Sequence, residues 1–580
     1  MAIEEKAPNY KRRKDIELLR AQMFNERSSF LSHWKTLGDY ILPRRPRFDS
    51  TDVNRGDRRN TNIIDSTATL AARTLRSGMM GGVTSPARPW FRLTTPDPDL
   101  AEFGEVKTWL HQVSQQMSAV FLKSNIYNSL PIIYGDMGVF ATGALFIEED
   151  FDKVIHSWPM PIGSYAIATD GRGRVNVFTR DFQMTVRQLV QTFGKKNDSG
   201  EIVWDNFSNT VKSLWDNHNL EARVDVVHMI EPNPNYDPSK LGSEFKRFYS
   251  CYYEKGNCSE KEAFLRKSGY DFFPVLCPRW EVTGEDVWGT TCPGMEALGD
   301  VKALQIMHRR KAQASEKMVN PPLQGPASLK NQKVSILPGD LTTWDGREGM
   351  NGLKPIHEVH LDLAPILNDI REHQHRIQRA FYEDMFLMLA NSDRRQITAR
   401  EIDERYEEKM LALGPVLEQL NQDLLNPLID NTFDIMNRQG LIPPPPEDLQ
   451  GSDLKVEYIS VMAQAQKLIA VGGMERFSGF VGNLVSQTQN PELLDKVDFD
   501  QAIDEYGDAT GVPPRIIRSD DQVAEIREGR KRQQEQARAA EIAKTMTSGA
   551  KDLSQIDMQA DSALTRLIKQ ANAGNLVPQE

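Results

Sequence analysis

The feature that most constrains the fold is a central stretch in which two long amphipathic helices enclose a short insert. The first helix is predicted over Met295 to Val319, about 37 Å long, and Asn320-Pro321-Pro322 ends it because proline restricts the residue before it. The second begins near Asp362, with Pro365 in its first turn. Its apolar residues share one face: Ile366, Ile370, Ile377, Phe381 and Met385. The insert, Leu323 to Val359, is rich in turn residues.

A third long helix follows this pair. It opens with Thr398 and Glu401, spaced as in a capping box, and runs towards Asn437. Pro415 and Pro427 are expected to bend it, since each lacks a backbone donor and crowds the preceding turn. Its core face is made of leucines: Leu413, Leu417, Leu420, Leu424 and Leu428. Because such long helices cannot build a freestanding core, we expect neighbouring copies of the chain to cover their open faces.

Helices are also predicted in the N-terminal part of the chain. Apolar residues at helical spacing run from Ile16 to Ile41, where Pro43 ends the pattern. A second helix is predicted from Thr67 to Ser77, with Leu70, Ala71 and Leu75 inward and a stop at Gly78, Gly81 and Gly82. A third covers Val106 to Lys123.

Strands dominate from about Gly143 to Thr290. Five runs have strand length or alternation: Ala144–Ile147, Ser164–Ala168, Arg174–Phe178, Arg247–Tyr253 and Ala263–Arg266. Asp170-Gly171-Arg172-Gly173 is a predicted hairpin turn, and one helix, Thr185 to Phe193, interrupts the sheet. The chain is therefore predicted to be an α+β protein.

The C-terminal part is predicted to be mostly helical. Pro443 to Pro446 forms a stiff linker, and a short strand from Leu454 to Ser460 leads into small helices up to Tyr506. The segment from Gln522 to Met546 has few large apolar residues, so its helix stays solvated or packs on another subunit.

Length and charge exclude several classes of protein. With 580 residues the chain is expected to form several subdomains. Its 70 Lys and Arg against 81 Asp and Glu give a net charge of −11. This charge argues against a protein that binds DNA tightly, although a conduit along which DNA slides is compatible with it.

The apolar stretch Leu130 to Ile147 contains Asp136 and three glycines, which favours a buried helix-to-strand junction over a membrane span. Met1 to Lys14 is unlike a signal peptide.

No pattern of catalytic or metal-binding residues is present. The sequence has neither a phosphate-binding G-x-x-x-x-G-K-[ST] loop nor a G-x-S-x-G nucleophile motif, so no ATPase or hydrolase activity is expected. The four cysteines match no zinc spacing, and His357 and His360 lack the one-turn separation of a metalloprotease helix. Catalytic residues, metals and cofactors are accordingly predicted to be absent.

Three basic clusters are candidates for DNA contact. They are Arg44-Arg45 with Arg47, His308 to Lys311, and Arg394-Arg395. For the first two, a solvated face or an ion pair with nearby acids is the favoured interpretation. For the third a functional role is favoured, because the segment from Ala390 to Arg395 lies between two long helices.

Several sequence blocks resemble one family, the head-to-tail connector (portal) proteins of short-tailed double-stranded DNA phages. The similarity runs in the same order over roughly residues 15 to 460. The blocks are Ile64-Asp-Ser-Thr-Ala68, Gly78-Met-Met-Gly-Gly-Val-Thr-Ser-Pro-Ala-Arg-Pro-Trp-Phe91, Ser124-Asn-Ile-Tyr127, Gly138-Val-Phe-Ala-Thr-Gly-Ala-Leu145, Pro293 to Leu304, Val319-Asn-Pro-Pro322 and Leu413 to Ile429.

The resemblance implies a ring, expected to be a dodecamer, at one capsid vertex, with double-stranded DNA passing through its channel without sequence readout. It implies a terminase-type packaging ATPase, a tail adaptor and capsid or scaffolding proteins as partners, and no membrane. The expected location is the virion, with the host cytoplasm as the site of assembly.

The family architecture implies subdomain boundaries for this chain. They are an N-terminal helical part of the wing (1–142), a β-rich wing (143–293), stem helix 1 (294–320), a clip (321–361), stem helix 2 (362–386), a channel loop (387–396), a long bent helix returning to the wing (397–460), crown helices (461–520) and a C-terminal helical extension (521–580).

The resemblance also implies where DNA contacts fall. The channel loop contains the candidate residues Asn391, Ser392, Asp393, Arg394, Arg395 and Gln396. Apart from the resemblance, Arg309, Arg310 and Lys311 of the first stem helix are kept as candidate DNA contacts, although the structural interpretation of their cluster is favoured. Two alternatives remain open from sequence, a capsid or tail structural protein without a channel and a DNA-processing enzyme.

Overall fold

The computed structural model describes residues 7–52, 56–97, 100, 104–259, 261–319, 323–324, 354–355, 362–391, 413–449, 451, 454–459, 477–485, 487, 496–510, 518 and 520–554. The chain divides into two compact units. The larger contains Met1–Ala101 with Glu105–Pro491, and the smaller contains Glu102–Gly104 with Glu492–Glu580. Within the described residues, no helix combines the length and apolar character needed to cross a membrane.

Helices and strands are mixed in the larger unit, which is therefore an α+β fold as predicted. Its helices are α1 Ala7–Tyr40, α2 Thr67–Gly82, α3 Gly104–Lys123, α4 Ile126–Phe140, α5 Val186–Phe193, α6 Asn209–Asp216, α7 Pro293–Val319, α8 Ala364–Ala380, α9 Glu383–Asn391, α10 413–420, α11 Asn426–Arg438 and α12 477–485. The smaller unit contains α13 Phe499–Thr510 and α14 Asp520–Ser554, the second of which is the predicted apolar-poor helix.

The strands form one large antiparallel sheet and several small ones. They are β1 Phe91–Thr94, β2 Leu145–Asp150, β3 Val154–Pro159, β4 Tyr165–Thr169, β5 Val175–Thr185, β6 Lys195–Lys196, β7 Ile202–Val203, β8 Arg223–Pro232, β9 Phe248–Glu254, β10 Arg266–Tyr270, β11 Val275–Leu276, β12 Leu323–Gln324, β13 Lys354–Pro355 and β14 Lys455–Tyr458. The large sheet has the order β10-β9-β8-β5-β4, and β11-β2-β3 forms a second sheet. β14 returns to pair with β1, so the segment after the third long helix rejoins the N-terminal part.

The core of the larger unit is formed mainly by helices that pack on one another. Leu75 and Met79 of α2, Leu130 and Ile133 of α4, and Leu304 of α7 are all buried in it. The predicted inward leucines of the third long helix, including Leu413 and Leu428, are buried in it too. The stretch before β2 is the buried helix-to-strand junction that its glycines indicated, since α4 ends at Phe140 and β2 begins at Leu145.

Three sequence predictions about helices are wrong in detail. α2 continues through Gly78 to Gly82, and Leu70 is 49 % exposed rather than inward. The second long helix breaks at Phe381 and Tyr382, where Tyr382 has φ +56, so α8 and α9 are separate. α9 then continues to Asn391, because Leu, Met and Ala favour helix over loop.

Two strand predictions also need correction. The predicted strand over Ala263–Arg266 lies later, at Arg266–Tyr270, and pairs with β9 from Tyr252 back to Phe248. β8, the central strand of the large sheet, was not predicted, because its residues Val226 to Ile230 are all buried and show no alternation.

The described part of the third long helix contains a local change of hydrogen bonding. A π-helical segment, Asn421–Leu425, lies between α10 and α11 and directly before Pro427, which lacks a backbone donor. Arg279 secures this segment, because its Nε lies 3.0 Å from Asp423 Oδ2 and its Nη2 lies 3.1 Å from Oδ1.

Candidate functional site

The two helices that enclose the insert, α7 and α8, lie against each other in opposite directions. β12 pairs with β13 just beyond the end of α7 and just before the start of α8, which closes the base of the insert. Further along the pair, His373 Nδ1 lies 2.7 Å from Asp300 Oδ1, and Arg376 Nη1 lies 3.6 Å from the same oxygen. Ile370 and Ile377 of α8 are buried in the same core as α7. The structure therefore contains the predicted pair of helices joined through a small insert.

The loop before α2 fixes this helix pair to the rest of the molecule. Gln305 Oε1 accepts hydrogen bonds from the backbone N–H groups of Ile64 (2.7 Å) and Asp65 (2.8 Å). The Asp65 carboxylate accepts a bond of 2.9 Å from Gln374 Nε2 on α8, and His308 Nε2 lies 3.0 Å from it. One carboxylate thus contacts both helices.

The ionisation of Asp65 suits this role. Burial alone would raise its pKa, but hydrogen bonds from Thr67 and Gln374 and the nearby His308 outweigh burial and hold the pKa of Asp65 below its usual value. The Thr67 backbone N–H donates at 2.8 Å. Asp65 therefore stays an anion at neutral pH and stabilises the contact of the loop before α2 with both α7 and α8.

The basic residues of α7 lie just beyond this contact. Arg309 and Arg310 are exposed and Lys311 is half-buried. Among the residues that the structure describes, none of the three has an ion-pair partner, whereas their neighbour His308 contacts Asp65. Within the described part of the chain, the cluster therefore separates into His308, which contacts Asp65, and three cations without an ion pair, whose role in contacting DNA stays a prediction.

The predicted channel loop begins inside a helix. Leu387 to Asn391 belong to α9, so Asn391 is the last residue of a helix and not part of a loop. Ser392, Asp393, Arg394, Arg395 and Gln396 lie outside the described residues. The channel role of all six stays a prediction.

A glycine in α2 sets the position of α9. A Cβ atom at Gly78 would come within 2.1 Å of the Phe386 ring, a distance that no real pair of atoms tolerates. Phe386 is buried, and on the same face of the contact Glu383 lies beside Thr74, 3.5 Å from its hydroxyl. The glycine that the sequence pattern assigned to a helix end instead permits close packing of α9 on α2.

In the first basic cluster, Arg44, Arg45 and Arg47, two of the arginines bond to groups within the same chain. Arg45 Nε donates to Asp136 Oδ1 at 2.8 Å and its Nη2 donates to Met160 O at 2.7 Å. Asp136 is 1 % exposed, so this is an internal ion pair. Arg47 donates to the carbonyls of Arg44 and Pro46. Arg45 therefore forms an ion pair, as the structural interpretation predicted, whereas Arg47 bonds to backbone carbonyls instead.

Sequence reasoning missed three residues that organise this region: Asp65, Gln305 and Gly78. Asp65 and Gly78 lie inside blocks that carry the family resemblance, but nothing in their local pattern showed what they contact. No group of three or more His, Cys, Asp or Glu side chains is arranged to hold a metal ion within the described ranges. All four cysteines are free thiols, and only Cys258 is exposed. His357 and His360 lie outside those ranges.

Comparison with known proteins identifies the family. Residues 13–517 match the profile of the bacteriophage head to tail connecting protein. The chain is 49 % identical over 553 residues to the portal protein of Salmonella phage epsilon15, covering 95 % of this chain and 97 % of the relative. It is 45 % identical over 544 residues to a probable portal protein of Bordetella phage BPP-1, covering 94 % and 96 %. With matches over nearly its whole length, in the order that the sequence blocks indicated, the chain belongs to the family of bacteriophage head-to-tail connecting proteins.

Proposed function

We propose that copies of this chain close into a ring of twelve at one vertex of the phage capsid, where α7 and α8 of each copy form the stem. As a viral portal subunit, the chain serves head-to-tail connection. The observation that carries the proposal is the family match over residues 13–517 together with a helix pair whose insert is closed by β12 and β13. The insert, 321–361, is then the clip.

The exposure of the stem helix supports assembly with further copies. Beyond Gln305, no residue of α7 is buried, and Ile306, Met318 and Val319 are 51 %, 42 % and 86 % exposed. Single exposed apolar residues are common on protein surfaces, so the family match carries the proposal and these side chains are compatible with it. In the ring, the neighbouring copy's stem covers them.

The channel carries double-stranded DNA, which contacts the ring through cations without sequence readout. Arg394 and Arg395 line the narrowest part, directly after α9, and Arg309, Arg310 and Lys311 contribute from the stem. Each chain has a net charge of −11. These arginines and the lysine therefore bind the DNA phosphates weakly, because the excess of acidic residues elsewhere in the chain prevents tight binding.

The remaining roles of the ring are to bind other proteins of the phage. The ring provides attachment for a terminase-type packaging ATPase, for a tail adaptor and for capsid or scaffolding proteins, and performs no catalysis itself. It resides in the virion after assembly in the host cytoplasm.

Electron microscopy and native mass spectrometry of the purified chain test the ring directly. We expect closed rings with a central channel, mostly of twelve copies. Monomers and dimers alone at high protein concentration would refute the ring. Particles without a channel would favour a different capsid or tail protein, and metal-dependent DNA cleavage lost on mutation of this chain would favour a DNA-processing enzyme.

A further inference from the structure

A cavity of about 160 Å³ lies between α1, the loop at residues 48–50 and the large sheet. It is lined by three cations, Arg20, Arg27 and Lys255, and by two carboxylates, Asp49 and Asp181. One water needs only roughly 15 Å³ of such space, so a tetrahedral oxyanion with accompanying water fits. The charges are unevenly matched, with three positive against two negative.

Two of the three cations are already paired. Arg20 donates to both oxygens of Asp181, with Nε 2.8 Å from Oδ1, and Lys255 Nζ lies 2.9 Å from Oδ2. Asp49 accepts a hydrogen bond of 3.2 Å from the backbone N–H of Thr51. The carboxylates therefore have their own partners, and neither forms an ion pair with Arg27.

Arg27 is the cation left without a counter-ion. It is 4 % exposed, and its Nη1 donates to the carbonyls of Gly163 (2.6 Å) and Tyr165 (3.0 Å). Its Nε has no hydrogen-bond partner among the described residues. The guanidinium stacks over the Phe24 ring, 4.1 Å from its centroid, which supplies some attraction but no negative charge. Burial lowers the pKa of Arg27 to about 10, because the distant charge of Asp181 offsets only part of the lost hydration.

The wall of the cavity is preformed. Gly163 has φ +86, and a Cβ there would come within 2.6 Å of the Arg47 carbonyl, so only glycine allows the two loops to approach this closely. The Arg47 backbone N–H donates to Ile162 O at 2.8 Å and holds them together. The close approach at Gly163 and this hydrogen bond therefore fix the backbone on one side of the cavity.

We propose that this cavity is a binding site for a phosphate-type oxyanion, held by the Arg27 guanidinium with help from Arg20 and Lys255. A buried guanidinium without a counter-ion is strongly stabilised by an oxyanion, because the oxyanion supplies the missing negative charge and accepts from guanidinium donors. The ligand bridges α1, the loop and the sheet. None of the residues that line the cavity belongs to α7, α8 or α9.

Titration calorimetry with inorganic phosphate tests the site on the full chain, in chloride buffer of matched ionic strength at pH 7. We expect saturable binding of one phosphate per chain, and a loss of affinity of at least about tenfold in Arg27→Met. Arg187→Met is the matched control, because Arg187 is an exposed arginine paired with Glu221 outside the cavity, and it should bind as the unaltered chain does.

Arg27 also donates to two carbonyls, so its replacement can destabilise the fold. Lys255→Met, at a half-exposed position on the rim, keeps those bonds and should weaken phosphate binding several-fold. Competition with a short DNA duplex then identifies the source of the phosphate group. If the duplex displaces the bound inorganic phosphate, the site recognises nucleic-acid phosphate. If it does not, the site recognises free phosphate. Absence of saturable binding to the unaltered chain, or equal affinity in Lys255→Met and the control, overturns the proposal.

Discussion

The two halves of α7 differ in how far their side chains are buried. From Pro293 to Gln305 the helix buries Leu298, Val301 and Leu304 in the main core. From Ile306 to Val319 no residue is buried, although Ile306, Met318 and Val319 are apolar. The first half is fixed by its own chain, whereas the second half presents a surface that its own chain leaves open. A single helix thus runs from the subunit core to an exposed segment, which we propose as the surface that meets neighbouring copies.

The boundary between the halves is polar and is marked by the loop before α2. Gln305 and His308 both contact this loop, and Arg309 and Arg310 follow immediately with exposed side chains. Polar contacts at this point fix the direction of the helix without burying the cations beyond it. Four predictions test whether the two halves differ in this way.

Truncation of the buried half should destabilise the subunit far more than truncation of the exposed half. Leu304→Ala leaves a cavity in the core, so we expect it to lower the free energy of unfolding by about 2–5 kcal/mol. Ile306→Ala, two residues away and 51 % exposed, should change it by less than about 0.5 kcal/mol. Denaturant unfolding of the dissociated subunit measures both. Similar losses for the two variants would show that the halves are not different.

A methyl group at Gly78 should disturb the contact between α2 and α9. Because its Cβ would overlap the Phe386 ring, we expect Gly78→Ala to destabilise the subunit by about 1–3 kcal/mol. Gly81→Ala is the matched control on the same helix, since a Cβ there meets nothing within 4 Å, and it should stabilise by about 0.5–1 kcal/mol. Combining Gly78→Ala with Phe386→Ala should cost less than the sum of the two. Strict additivity would contradict the proposed overlap.

Asp65 should stabilise the boundary in a pH-dependent way. Its pKa is lower in the folded chain than the usual value of about 3.9, so its contribution is present above that pH and is lost as the pH falls through the folded value. We expect Asp65→Asn to cost about 1–2 kcal/mol at pH 7, with the difference from the unaltered chain shrinking below about pH 4. Asp369→Asn, an exposed acid on α8, is the control. A pH-independent difference would show that the charge of Asp65 is unimportant.

Removing the candidate DNA-contact arginines should impair DNA packaging or retention and leave the stability of the subunit unchanged. We expect Arg309→Ala with Arg310→Ala to leave unfolding within about 0.5 kcal/mol of the unaltered chain and to reduce DNA packaging or retention. Arg394→Ala with Arg395→Ala should leave ring assembly intact and impair packaging in the same way. Loss of ring stability in the second pair would instead indicate ion pairs with acids such as Asp393 or Glu401. Normal packaging at every salt concentration would refute the contact with DNA.

Helices with a strong local pattern could be predicted from the sequence. The leucine face from Leu413 to Leu428, the capped helix after Thr185 and the helix from Met295 to Val319 were all predicted, because apolar spacing and capping residues act within a few turns. The family resemblance, carried by blocks such as Pro293 to Leu304, also came from sequence, and the matches with known portal proteins confirm it.

The tertiary structure alone decided which residues meet. Whether Gly78 ends a helix or admits Phe386, whether Arg45 faces solvent or Asp136, and which carboxylate joins α7 to α8 depend on partners far away in the chain. The same holds for β8, whose residues are buried on both faces and carry no alternation. Local propensity is set by neighbours in sequence, whereas a buried charge, a close approach and a central strand are set by neighbours in space.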